Sequence, residues 1–256
     1  MSASPVKAWL EKDGMLLRLR LARPKANIVD AAMIASLQSA LGGHLSGARL
    51  RAVLLDAEGP HFSFGASVEE HLPESCAWML RQLHALILQL LESPVPVLVA
   101  VRGQCLGGGL EVAAAGHLIF AAPDAKMGQP EIKLAVFAPA ASCLLPERIG
   151  QARAEDLLFS GRSMGADEAH RIGLVSSLAD DPEGAALDYF ERFLAPLSAS
   201  SLRFAVRAAR AGFVSRVAAK LAEVERLYLE DLMVTRDAVE GLNAFIEKRH
   251  ANWQDR

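Results

Sequence analysis

Val95-Pro96-Val97-Leu98-Val99-Ala100-Val101 leads, through Gly103, into Cys105-Leu106-Gly107-Gly108-Gly109-Leu110-Glu111 and on to Val112-Ala113-Ala114-Ala115. The first seven residues are apolar and β-branched, bounded by Pro94 and Gly103, the pattern of a buried strand. Leu110 to Ala115 is a run of small helix-forming residues. A strand, a glycine turn and a helix start leave free backbone N–H groups at the positive end of a helix dipole. Such a place favours an anion, or an oxygen that becomes anionic during a reaction. Glu111, in the first helical turn, falls within reach of that oxygen. Taken alone, a glycine run is also a plain tight turn, and a glutamate at a helix start also a plain partner for the dipole.

Working outward, Val6 to Glu11 and Met15 to Leu21 read as two strands joined at Asp13-Gly14, a hairpin signal. Leu17-Arg18-Leu19-Arg20-Leu21 alternates, which predicts one buried face and one solvated face. Ala31 to Leu41 reads as a helix, Ala52 to Asp56 as a strand, Leu80 to Leu91 as an apolar-rich helix, and His117 to Ala122 as a strand. Strands alternating with helices point to βαβ units and an α/β fold. From Pro139 onward helical periodicity dominates, and Glu183 to Arg256 reads as almost wholly helical. The division is a core at residues 1–182 and a helical region at 183–256, within one continuous unit.

Composition bounds the function. The chain has 256 residues, 52% hydrophobic, enough for a substantial core. Its mean hydropathy of +0.21 suits a core plus subunit interfaces. A net charge of −3, from 27 Lys and Arg against 30 Asp and Glu, gives no reason to expect nucleic acid as a partner. No apolar run approaches the ~20 residues that span a bilayer, and Met1-Ser2-Ala3-Ser4-Pro5 lacks a basic-then-apolar signal pattern. Cys76, Cys105 and Cys143 are scattered and odd in number, which fits a reducing cytoplasm. None has metal-ligand spacing.

Two more segments complete the pattern: Gly128-Gln129-Pro130-Glu131, with a second carboxylate, and Gly59-Pro60-His61-Phe62-Ser63-Phe64-Gly65-Ala66-Ser67. Together with the glycine run and in this order, they resemble the crotonase (enoyl-CoA hydratase/isomerase) family over nearly the whole chain. The resemblance implies a spiral of ββα units followed by a helical region used in assembly as trimers, often paired into hexamers. It implies a CoA thioester substrate whose carbonyl oxygen is held by the N–H groups of Ala66 and Gly108, with Glu111 and Glu131 as the acid/base pair. No metal or redox cofactor is implied, CoA being the handle of the substrate. Ser67 stands where the family usually has Asp, a change that touches the loop and not the backbone donor. Ser67 and Val68 are then substrate contacts. Lys25, within Arg23-Pro24-Lys25-Ala26-Asn27, and Phe245 and Lys248, within Ala244-Phe245-Ile246-Glu247-Lys248-Arg249, match segments that meet CoA, the last from a neighbouring subunit. Phe62, Phe64, Trp78 and Leu83 are candidates for an acyl pocket or plain core, and His61, His71, His84 and His117 are structural or surface residues.

After Pro130-Glu131 the family's fatty-acid enzymes continue toward Pro-Gly-x-Gly-Gly, whereas this chain has Ile132-Lys133-Leu134-Ala135-Val136-Phe137-Ala138-Pro139-Ala140-Ala141-Ser142. Alanine and serine in place of glycine stiffen a helix start there. The string resembles the cyclohexa-1,5-diene-1-carbonyl-CoA hydratase subfamily of anaerobic benzoyl-CoA breakdown, which implies a ring dienoyl thioester as substrate. The alternatives are a hydratase or isomerase acting on linear acyl-CoA, and a non-catalytic binding member, RNA binders included. The last requires a basic stripe and a damaged glutamate pair; neither is visible.

Overall fold

In the computed structural model residues 4–256 are described; Met1 to Ala3, part of the stretch considered for a targeting signal, lie outside them. The hairpin forms as expected from β1 (Val6–Glu11) and β2 (Leu16–Leu21) around the Lys12–Gly14 turn. Helix α1 (Ala31–His44) follows, its first turn capped by the Asp30 carboxylate, which accepts from Met33 N at 2.9 Å. Then come β3 (Ala52–Ala57), α2 (Pro73–Leu91) and β4 (Val97–Val101). Helix α2 starts two turns before the expected Leu80, with Pro73 in its first turn, where a missing N–H costs nothing. The chain continues through β5 (Gln104–Leu106), α3 (Gly108–Ala115), β6 (Leu118–Ala121) and β7 (Lys126–Gly128). The remainder is α4 (Pro139–Ile149), α5 (Gln151–Ser160), β8 (Ser163–Gly165), α6 (Ala166–Arg171), β9 (Ser177–Leu178), α7 (Pro182–Tyr189), α8 (Ala199–Arg226) and α9 (Arg236–Ile246).

Six strands form one sheet in the order β1-β2-β3-β4-β6-β9, and β5-β7-β8 form a second of three. Apart from the β1–β2 hairpin, pairing in the large sheet is parallel. Parallel sheets are covered on both faces, and this one has a core on each. On one side Leu17, Leu19, Leu21, Val53, Leu55, Val97 and Val99 meet α1, α2 and α3. On the other, Leu16, Leu54, Leu98 and Phe120 meet Ala186, Phe190, Leu202 and Val206.

This double cover corrects the reading of β2. Its arginine face is only partly solvated: Arg18 is 3% exposed, while the Arg20 side chain keeps 25% of its surface. Helix α7 lies over it, and Arg18 and Arg20 share Asp56 and Glu183 (Arg18 Nη2 to Asp56 Oδ2, 2.7 Å; Arg20 Nη2 to Glu183 Oε1, 2.7 Å). Strict alternation marks two different faces but does not say whether the polar one meets water or an ion-pair network. The C-terminal region is helical up to Ile246, with π-helical turns at Phe190–Leu194 and Leu227–Leu232, while residues 250–256 carry no regular structure. No helix among the described residues is long and apolar enough to cross a membrane.

Candidate active site

The small sheet and two loops build the site. Loop 62–66 runs alongside β5: Phe62 N–H donates to Arg102 O, Ser63 N–H to Gln104 O and Leu106 N–H to Ser63 O, each at 3.0 Å. Gly107 N–H donates to Gly128 O at 2.9 Å, tying the glycine turn to the end of β7. The Ala26–Val29 loop closes on the other side, with Phe64 N–H bonded to Ala26 O and Val29 N–H to Gly65 O, both 2.9 Å. Asn27 holds these loops in register. It is fully buried, its amide donates to Glu58 O and His61 O at 3.0 Å, and its oxygen accepts from Arg23 N at 2.9 Å. Ser63 Oγ adds a bond to Asn27 O at 2.8 Å and accepts from Gly65 N at 3.1 Å.

The consequence is a close approach of Ala66 and Gly108. A Cβ placed on Gly108 would lie 3.0 Å from Ala66 Cβ and 3.1 Å from Ala66 N. Among the described residues neither the Ala66 nor the Gly108 N–H donates to a protein acceptor. The loop and the N-terminus of α3 thus bring two free donors to one point, as an oxygen that gains negative charge requires. Gly107 cannot be replaced cheaply, because its φ of +49° strains any L side chain, and a Cβ there would also stand 2.5 Å from Glu131 Oε1 and displace that carboxyl.

The carboxylates converge from either side. Glu111, on the first turn of α3, is 3% exposed, and its Oε1 accepts from Ala141 N at 2.8 Å. That places it at the N-terminus of α4, the helix start that carries alanines in place of glycines. Glu131 lies in the 3-10 turn Pro130–Leu134, and Val136 N–H closes the turn on Glu131 O at 3.3 Å. The buried Gln129 amide, its nitrogen turned toward Glu131, donates to Oε2 at 3.0 Å and to Oε1 at 3.2 Å.

Their environments separate the two acids. Burial raises both, but Glu111 is pulled back by the Ala141 N–H, by His84 and by the Ala140 N–H. Glu131 is pushed up to about 8, first by burial and then by the charge of Glu111. Two close carboxylates disfavour double ionisation, and the direction of these effects favours the shared proton on Glu131 and the charge on Glu111.

Beside the donors opens a cavity of about 650 Å³, lined by Ala66, Val68, Leu106, Glu131, Val136 and Phe245 among others. Ser67 and Ile28 join it to a cleft of about 620 Å³ that holds Arg23, Lys25 and Asp30. Lys25 is thus at the mouth, and Ser67 Oγ donates to Glu69 Oε2 at 3.0 Å. Phe245 reaches the cavity of its own chain from α9, while Lys248, just past α9, is exposed and off the lining. Of the four acyl-pocket candidates Phe64 lines the cavity; Phe62 and Leu83 are core, and Trp78, half exposed on α2, is off the lining.

His71, expected as a structural or surface residue, lines the cavity. Its ring nitrogen meets Ser67 O at 2.7 Å, and burial holds its pKa below the ordinary value, so it is neutral there. Asn27, Ser63 and Gln129 were not singled out either. Their only sequence signal was proximity to the motifs, since a polar side chain turned inward looks like any other in the sequence.

The sequence profile described as enoyl-CoA hydratase/isomerase matches residues 11–256. The chain belongs to that family. It is 71% identical over 255 residues to the cyclohexa-1,5-dienecarbonyl-CoA hydratase of Thauera aromatica, covering 100% of this chain and 99% of that one. It is 34% identical over 234 residues to the human mitochondrial methylglutaconyl-CoA hydratase, 87% of this chain and 68% of the relative. Among solved structures, an enoyl-CoA hydratase/isomerase from Pseudoalteromonas atlantica T6c superposes with a TM-score of 0.84 at 28% identity, over 97% of this chain and 99% of the other. An enoyl-CoA hydratase from Mycobacterium avium subsp. paratuberculosis K-10 shares the fold, with a TM-score of 0.86 at 22% identity over 99% and 100% of the two chains. The α/β architecture with its C-terminal helical region is the crotonase fold.

Proposed function

We propose that the protein hydrates cyclohexa-1,5-diene-1-carbonyl-CoA to 6-hydroxycyclohex-1-ene-1-carbonyl-CoA, within anaerobic benzoyl-CoA breakdown. The observation that carries the substrate is the 71% identity along the full chain to the Thauera hydratase. The chemistry is supported by two carboxylates of unequal acidity beside two free N–H donors.

In this reading Ala66 and Gly108 N–H hold the thioester oxygen, each donor contributing about 3–4 kcal/mol to the transition state. Glu111, the ionised partner, takes a proton from water as the water oxygen bonds to the β-carbon. Electrons move through the thioester onto its oxygen, giving a dienolate that extends round the ring. Glu131 then delivers its proton to the far ring carbon, the carbonyl re-forms, and one ring double bond remains. The arrangement requires no metal or redox group. Ser67, Val68 and Lys25 guide the CoA arm along the cleft. Residues 1–182 form the catalytic spiral and 183–256 the assembly region of a cytoplasmic trimer or dimer of trimers, in which Phe245 and Lys248 meet CoA. Exposed Phe204 on α8 and Phe245 on α9 supply apolar surface suited to such contacts.

The test compares hydration of the cyclic dienoyl-CoA with that of crotonyl-CoA at matched concentrations. Strong preference for the ring is expected. Preference for crotonyl-CoA would return the protein to linear acyl chains and sink the substrate assignment.

A further inference from the structure

Helix α3 carries the site at one end only. Gly108 and Glu111 stand in its first turn, and about 12 Å away, at about 1.5 Å per residue, the carbonyls of its last turn have no helical partner. Two guanidiniums cover that end. Arg148, in the last turn of α4, donates from Nη1 to Ala114 O at 2.9 Å and Gly116 O at 2.7 Å, and from Nη2 to His117 O at 3.4 Å. Arg210, from α8, donates from Nη2 to Ala115 O at 3.2 Å and from Nη1 to Gly116 O at 3.4 Å.

Neither arginine has a carboxylate partner among the described residues. Glu147, beside Arg148 in the chain, pairs with Arg216 instead (Nη2 to Oε2, 2.7 Å). Arg210 Nε is buried without a partner. Burial lowers both guanidiniums to about 10, with repulsion from Arg148 adding to the effect at Arg210, yet both remain charged at neutral pH. Two like charges without a counter-ion are a costly way to fill space. The negative end of the α3 dipole is what offsets them.

Helix α4 thus grips α3 at both ends. Its Ala141 N–H meets Glu111 Oε1 at 2.8 Å, and two turns later Arg148 holds the far carbonyls. We propose that Arg148 and Arg210 are positioning residues: by fixing the C-terminal end of α3 they aim the Gly108 N–H at the thioester oxygen and Glu111 at the water. A helix this short pivots as a unit, so slack at one end displaces the reacting groups at the other.

This rests on the hydratase reading, so wild-type turnover of a CoA thioester is measured first. Its absence would refute that reading, while the carbonyl measurement described next still tests the positioning. The variants are Arg148→Met and Arg148→Lys in the full chain, assayed per folded site on the thioester that the wild type turns over best. Arg148→Met should lower kcat by about tenfold or more with KM within about twofold, since the reacting groups are misplaced and the CoA arm is not. Arg148→Lys keeps a charge and donors at that end of α3 and should recover most of the loss. The second readout is the infrared carbonyl stretch of bound benzoyl-CoA, a ring thioester labelled with carbon-13 at its carbonyl. Donors aimed at the oxygen lower that frequency, so in Arg148→Met it should lie nearer the free-solution value than in wild type. If Arg148→Met does not fold, Arg210→Met, which loses the longer bonds, carries the same test at a kcat loss of about threefold. Wild-type kcat in the folded variant, or a kcat loss with the carbonyl stretch unmoved, would overturn the proposal and leave both arginines as caps that only stabilise the helix.

Discussion

Glu131→Gln tests the electrostatics of the site through stability. In the native protein Glu131 holds its proton up to about pH 8, against an ordinary value of 4.5. Between those values the native state binds a proton that the unfolded chain has released, so wild-type stability falls as pH rises, and levels off above about 8. The interval corresponds to about 5 kcal/mol at about 1.4 kcal/mol per pH unit. Glu131 faces a cavity that admits water, and screening there brings the figure to about 2–3 kcal/mol. Glutamine is isosteric, keeps a hydrogen-bonding end for Gln129 and does not ionise. The variant should therefore gain stability relative to wild type as pH rises from 5 to 9, by about 5–10 °C in Tm at the alkaline end, while losing most turnover. Because Glu111 is present in both proteins, the difference reports Glu131 and its coupling to that neighbour. Chemical or thermal unfolding at half-unit steps of pH measures it. Parallel curves for the two proteins across this range would refute the raised pKa, and with it the choice of Glu131 as acid.

Two further substitutions probe the frame. Gly107→Ala sets a methyl 2.5 Å from Glu131 Oε1 at a positive-φ position; kcat should drop by at least about tenfold with far-ultraviolet circular dichroism unchanged, and near-normal turnover would show that Glu131 is not placed by this contact. Asn27→Ala removes two bonds between loops and one within its own turn and should cost about 2–3 kcal/mol of stability together with a raised KM, both measured on one preparation.

The elements legible in the sequence were those long enough to show a period. The β1–β2 hairpin, α1, β3, β4, α3 and β6 all lie within a few residues of where alternation, helical spacing and glycine or proline boundaries put them. Strands β5, β7 and β8 have three residues each, too few for any pattern, yet β5 and β7 carry the backbone bonds that tie the glycine turn and the Ser63 loop together. The arginines of β2 show the other limit. Alternation marked their face, but only the packing of α7 revealed that Arg18 is buried and that both arginines share carboxylates.

For the site, the division follows from physics of different range. The glycines that permit a tight turn, the carboxylates and the family's order of motifs are properties of residue type and local spacing, so the chain by itself points to the residues proposed as donors and acids. Which acid holds the proton depends on groups distant in sequence: the Ala141 N–H on Glu111, thirty positions away, and the charge of Glu111 on Glu131. The same holds for Asn27 clamping two loops. Burial and through-space charge are set by what the fold packs around a group, and the tertiary structure alone decided them.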